Sequence, residues 1–145
     1  MKITFPSFDE KHTLPICTKI PVRWGDMDSF GHVNNTVFFR FFEIARIEYF
    51  KKIQILQQTI GPILASTSCR FLAPIVFPDN IFATAHVYAL HEFGFDMAYA
   101  LYSERNQRIV AKGEGKVISY NYDQHNKASL PKAWERQIKI LENGL

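Results

Sequence analysis

Between Trp24 and Asn35 the chain reads Trp-Gly-Asp-Met-Asp-Ser-Phe-Gly-His-Val-Asn-Asn, which brings Asp26, Asp28, His32, Asn34 and Asn35 within ten residues. A carboxylate in such a cluster can take a proton from water or attack an acyl carbon itself. If a helix begins at the two asparagines, its unpaired N–H groups and partial positive charge can hold an anion or a developing oxyanion. The same residue types also build plain turns, in which Asp side chains accept from local amides and Gly31 supplies a positive φ. A calcium loop is a third reading, with Asp26, Asp28 and Gly31 at its first, third and sixth positions, but Phe30 and Val37 stand where it requires ligands.

Acyl or anion chemistry of this kind needs a strand or turn to carry the carboxylates and a helix to supply the amides. Upstream, Thr18, Ile20, Val22 and Trp24 alternate with more polar neighbours and predict one face of a half-buried strand, with Pro21 favouring an edge. Downstream, Val37 to Ile53 is apolar at nearly every helical position, which predicts a helix covered on most sides. Asn34 and Asn35 suit its N-cap, and Lys51 and Lys52 suit its other end. Beyond Pro62, β-branched and aromatic segments predict strands near 63–73, 80–91, 94–104 and 108–119. Pro78-Asp79-Asn80, His91-Glu92-Phe93-Gly94 and Glu104-Arg105-Asn106-Gln107 are short enough to join antiparallel neighbours. Trp134, Ile138, Leu141 and Leu145 form one stripe of a terminal helix starting near Pro131. The expected class is α+β, an antiparallel sheet of about five strands curled around one long helix.

Composition narrows the function. The 145 residues are 47% hydrophobic and 21% charged, enough apolar material for one core and too much for a disordered chain, so a single domain over residues 1–145 is expected. Seventeen Lys+Arg against 14 Asp+Glu are scattered, which gives nucleic-acid binding no support. The longest stretch free of ionisable side chains, Ile53 to Cys69 with its cysteine apart, contains Gln54, Gln57, Gln58 and Pro62 and predicts no membrane span. The opening residues offer no apolar signal run, and two distant cysteines, Cys17 and Cys69, read as reduced thiols, so a cytoplasmic setting is expected.

Other reaction classes find little. No G-x-S-x-G elbow or P-loop occurs, and Gly113-Glu114-Gly115 does not continue into a dinucleotide loop. His86 and His91 have no recognisable metal partners and read as surface or satisfied strand residues. Cys69 reads as a small buried hydrophobe rather than a nucleophile.

Arg23 to Asn35, leading into Phe41-Phe42-Glu43-Ile44-Ala45-Arg46, resembles the hotdog-fold acyl-CoA thioesterases of the 4-hydroxybenzoyl-CoA thioesterase type. Phe71 to Asp79 and Leu130-Pro131 are similar to further segments of that family, so the likeness covers most of the chain. The resemblance implies that Asp28 is the catalytic carboxylate, as nucleophile or as base for water, and that Asp26 is structural. It implies that the Asn35 backbone amide polarises the thioester carbonyl, that His32 orients or assists, and that Gly31, Val33, Asn34 and Phe38 contact substrate. The segment also resembles plant acyl-ACP thioesterases, whose catalytic aspartate and histidine fall on Asp28 and His32 and whose asparagine falls on Phe30. Two departures stand out: Phe38 occupies a position usually held by tyrosine, and Gly94-Phe95 replaces a polar residue. Glu43 resembles the family's helix glutamate; with Arg40 and Arg46 it has the spacing of helix-surface ion pairs.

The resemblance implies hydrolysis of an acyl- or aroyl-CoA thioester to free acid and coenzyme A, with acyl carrier protein thioesters or non-catalytic acyl-CoA binding as alternatives. No metal or redox cofactor is expected, coenzyme A being part of the substrate. A homodimer with sites across its interface, or a dimer of dimers, is expected, with no nucleic-acid or membrane partner.

Overall fold

A computed structural model describes residues 3–56 and 58–145. Along the chain lie β1 (Ile16–Pro21), α1 (Asn35–Lys52), β2 (Ile60–Phe71), β3 (Asn80–His91), β4 (Gly94–Ser103), β5 (Arg108–Asn121), β6 (Asn126–Lys127) and α2 (Lys132–Glu142). The strands form one antiparallel sheet in the order β1-β3-β4-β5-β2, with β6 beside β5. The sheet curls over α1, as the sequence pattern predicts.

Alternation along the strands decides which side chains meet the helix. Phe95, Met97, Tyr99 and Leu101 of β4 are fully buried on that side. Phe42 stacks on Tyr99 with ring centroids 5.0 Å apart, and Phe50 meets Phe95 edge-on at 6.3 Å. Phe38, Phe41, Phe42, Ala45, Arg46, Tyr49 and Phe50 recur at helical spacing and form one buried stripe of α1. Its flanks, including Val37, Phe39 and Ile47, are half-buried, so the described chain covers the helix less completely than its apolar run suggested.

The opposite face is roofed by the N-terminal segment. The Tyr102 hydroxyl donates to the Pro6 carbonyl at 2.7 Å, and the rings of Phe8 and His12 meet Phe82 edge-on. Lys11 is buried, donating to the Phe8 carbonyl at 2.9 Å with its ammonium 3.8 Å from the Phe8 ring centroid.

β1 lies two residues earlier than expected. Ile16, Ile20 and Val22 do turn inward, but Trp24 is 74% exposed because the chain leaves the sheet into a 3-10 turn, Trp24–Asp26. Pro21 ends this edge strand, where its missing N–H costs no ladder bond. At the other edge β2 pairs only with β5 among the described strands, and Ile63, Leu64 and Phe71 of β2 are exposed together with the following Leu72. No described helix is long and apolar enough to cross a membrane.

Candidate active site

The turn that carries the acidic residues is built from the inside out. Asp26 is buried, and both of its carboxylate oxygens are engaged by Arg23: Oδ2 accepts from the backbone N–H at 2.8 Å and Oδ1 from Nη2 at 3.1 Å. Its carbonyl accepts from the Asn34 N–H at 3.0 Å, which brings the start of α1 back onto the 3-10 turn. Both carboxylate oxygens of Asp26 are thus committed within the turn. Among the described residues, no group of three or more His, Cys, Asp or Glu side chains is placed to hold a metal ion.

Asp28 sits at the mouth of the next, tighter turn. Its N–H donates to the His32 carbonyl at 2.9 Å, and its carbonyl accepts from the Gly31 N–H at 3.0 Å. Gly31 has φ +79°, a conformation that strains residues with a Cβ, so glycine lets the chain turn back here without that cost. Asp28 Oδ1 accepts from the Phe30 N–H at 2.9 Å, while Oδ2 has no partner among the described residues. The carboxylate is thus held by one oxygen and presented by the other.

Two hydrogen bonds fix this turn against the β2–β3 connection: Val33 N–H to the Ile75 carbonyl at 2.8 Å and Val22 N–H to the Asp79 carbonyl at 2.9 Å. Asp79 is itself buried, taking donors from the Asn80 and Arg105 backbone and from the Ser103 hydroxyl.

Asn34 is the N-cap of α1. Its Oδ1 accepts from the Thr36 N–H and hydroxyl, each at 2.8 Å. The Asn35 N–H in the first helical turn takes no acceptor among the described residues, which leaves it aimed out of the helix end with the partial positive charge behind it. A cleft of about 300 Å³ opens there, lined by His32, Val33, Asn35 and Phe38 on one side and by Phe71, Leu72, Ala73 and Pro74 on the other. Phe38 is buried and meets Phe71 edge-on at 4.9 Å.

The structure therefore gathers His32, Val33, Asn35 and Phe38 around one cleft, while Asp28 lies in the preceding turn and is not among the cleft's lining residues. Gly31 shapes the turn, and the Asn34 side-chain oxygen is committed to capping. The far wall, Phe71 to Pro74, went unassigned in the sequence; its signal was the family-like segment starting at Phe71.

Three expectations need correction. Glu43 does pair with Arg40, but Arg46 is buried rather than on the helix surface, with Nη1 donating to the Tyr99 hydroxyl at 3.2 Å and Nη2 3.9 Å from Glu43. His86 is also buried, and its Nδ1 finds no partner. Cys69 is half-buried against the core rather than fully buried as expected, and that partial burial pushes its thiol up to about 11, far from thiolate formation at neutral pH. At Gly94 a Cβ would lie 1.9 Å from the Val117 carbonyl oxygen, and Phe95 is core, so packing occupies the place of the missing polar residue.

Residues 22–138 match the family model of the thioesterase-like superfamily, and the chain belongs to that superfamily. Its fold is the hotdog. A thioesterase from Thermus thermophilus, solved in complex with coenzyme A and zinc, is 31% identical; the match covers 91% of this chain and 98% of that one at a TM-score of 0.82. The PA2801 protein of Pseudomonas aeruginosa is 28% identical, over 86% of this chain and 98% of that one, at a TM-score of 0.79. The uncharacterized protein YsmA of Bacillus subtilis strain 168 is 35% identical over 77 residues, so the match spans about half of that relative, 52% of its length.

Proposed function

We propose that this protein is an acyl-CoA thioesterase, hydrolysing an acyl- or aroyl-CoA to the free acid and coenzyme A. The observation that carries the reading is the joining of Asp28, with Oδ2 unengaged, to the open Asn35 amide by a turn that hydrogen bonds hold at both ends. With the thioester carbonyl against the Asn35 N–H, charge developing on its oxygen is met by that amide and the helix end. Asp28 takes a proton from water as that water attacks the carbonyl carbon, the C–S bond breaks, and the proton passes to the leaving thiolate; if Asp28 attacks directly, the C–S bond breaks to give an aspartyl–acyl anhydride, which water then hydrolyses to the free acid and the restored carboxylate while the coenzyme A thiolate takes up a proton. His32 lines the same cleft and orients substrate or water. Phe38, Phe71 and Leu72 offer apolar surface to the acyl group. These steps call for no metal or redox cofactor.

Coenzyme A rather than acyl carrier protein is favoured because the similar Thermus thermophilus thioesterase was solved with coenzyme A. The unit is a homodimer in this reading, a second copy covering the open edge of β2 at Ile63 and Leu64, and it works in the cytoplasm as one domain. Exposed apolar side chains on an unpaired edge strand support such pairing.

The test is release of free thiol from short, long and aromatic acyl-CoAs by the wild type and by Asp28→Asn. Turnover of at least one substrate, lost in the variant, supports the reading. Binding of acyl-CoA with no thiol released by the wild type would overturn it.

A further inference from the structure

The cleft beside Asn35 is closed on its inner side by aromatic rings. Phe38 lines the cleft yet is almost wholly buried, so it stands between the open cleft and the interior shared by α1 and the sheet. About one turn further along α1, Phe42 is buried in its turn and stacks on Tyr99. The sheet makes room for that ring: a Cβ at Gly113 of β5 would lie 2.4 Å from Phe42 Cε2, so the ring rests directly on the strand backbone. Phe39 closes the side towards β2, meeting Phe42 edge-on at 6.1 Å and Phe71 at 6.4 Å. The way along α1 past Phe38 is thus filled by packed side chains.

We infer, resting on the function proposed above, that Phe38 backed by Phe42 is the stop that sets acyl size. The substrates then carry compact acyl groups, a short chain or a single ring, and long fatty acyl groups are excluded. Length supports this limit. Three helical residues rise about 4.5 Å, so a straight chain running inward from a carbonyl at the Asn35 amide meets Phe38 within roughly four to six carbons. Volume agrees with length. A dry cavity of about 150 Å³ holds one benzene. A cleft of about 300 Å³ therefore takes one ring, or its equivalent in methylenes, with the thioester beside it. The far wall leaves little slack, because Phe71 meets Phe38 edge-on at 4.9 Å and Ala73 is half-buried beside it.

The experiment compares the wild type with Phe38→Ala, which removes the stop, and with Ala73→Leu, which narrows the cleft from its far wall. Thiol release is measured as kcat/KM on acetyl-, hexanoyl-, benzoyl- and dodecanoyl-CoA. Equilibrium binding is measured for the S-butyl, S-hexyl and S-dodecyl thioethers of coenzyme A, which cannot be hydrolysed. The wild type is expected to favour hexanoyl- or benzoyl-CoA over dodecanoyl-CoA by about tenfold or more, and Phe38→Ala to lose most of that preference. Thioether affinity should level off beyond about six carbons in the wild type and keep rising in Phe38→Ala, by up to about fourfold per buried methylene. Equal turnover of hexanoyl- and dodecanoyl-CoA by the wild type overturns the inference, as does an unchanged length profile in folded Phe38→Ala. If Phe38→Ala does not fold, Ala73→Leu decides. It should lower kcat/KM for hexanoyl- and benzoyl-CoA about tenfold relative to acetyl-CoA, and an equal effect on all three overturns the inference. The thioether arm does not need turnover: a length limit that moves in the variants without any thiol release keeps the stop and removes the hydrolase, and thiol release indifferent to length removes the stop alone.

Discussion

The Tyr49 hydroxyl donates to Glu142 Oε2 at 2.5 Å, joining the last turns of α1 to the last residue of α2 across 93 positions of sequence. The same oxygen accepts from the Val87 N–H at 2.9 Å. That N–H lies at the register shift between Val87 and Ala89, so the carboxylate satisfies a donor beside a bulge in the β3–β4 ladder. Replacing Glu142 by Ala leaves both donors without their acceptor. Chemical denaturation should show a loss of about 1–3 kcal/mol, with Glu142→Gln losing less because its amide oxygen still accepts.

A half-buried carboxyl and a buried imidazole give stability opposite dependences on pH. Burial holds the Glu142 carboxyl above its ordinary value, partly offset by the bonds from Tyr49 and Val87. The folded chain then binds this proton more readily than the unfolded one, so its contribution falls as pH rises from the ordinary carboxylate value through the raised one. Burial holds His86 below its ordinary 6.5, so the unfolded chain binds that proton first and stability falls as pH drops from there through the lowered value. Urea midpoints across these ranges should lose the first slope in Glu142→Gln and the second in His86→Gln. A variant that keeps the wild-type slope assigns it to another group.

The two aspartates of the turn should separate cleanly. Asp28→Asn is expected to lower thiol release by about 10²–10⁴-fold while leaving the denaturation midpoint close to that of wild type. Asp26→Asn should lower the midpoint, because the amide keeps one acceptor oxygen but sets an NH2 donor against the second Arg23 donor and removes the charge that pairs with the guanidinium. The reverse assignment would show in the same pair of measurements.

Gly31→Ala tests whether the turn itself matters for chemistry. A Cβ at φ +79° costs about 1 kcal/mol, and the space around it is open, so the chain should still fold. Because the Gly31 N–H closes the turn on the Asp28 carbonyl, kcat should fall with little change in KM. Full activity in this variant would mean that the placement of Asp28 does not depend on the turn.

The strand and helix periodicities, and with them the curled sheet around α1, were legible because each long segment carries its own pattern. Asn34 as cap and Pro21 at an edge were legible for the same local reason. Trp24 was not: the alternation runs on through it, and only the Arg23–Asp26 bonds turn the chain outward. Arg46 was not, because its burial depends on a hydroxyl from Tyr99, 53 residues away. The Asp28 turn could be read as a motif, whereas the wall from Phe71 to Pro74 required knowing that the β2–β3 connection folds back beside Val33. Glu142 gave no signal at all, being one acid in an amphipathic helix.

The N-terminal segment that roofs the sheet has a practical consequence. Ile3 and Phe5 border a hollow together with Lys112, so a fluorophore attached near residue 3 would report on whether this roof is seated on the sheet. Trimming the chain to start after Phe8 would take away the carbonyls that accept from Lys11 and from the Tyr102 hydroxyl, so the trimmed protein should melt earlier while the Asp28 turn keeps all of its own hydrogen bonds.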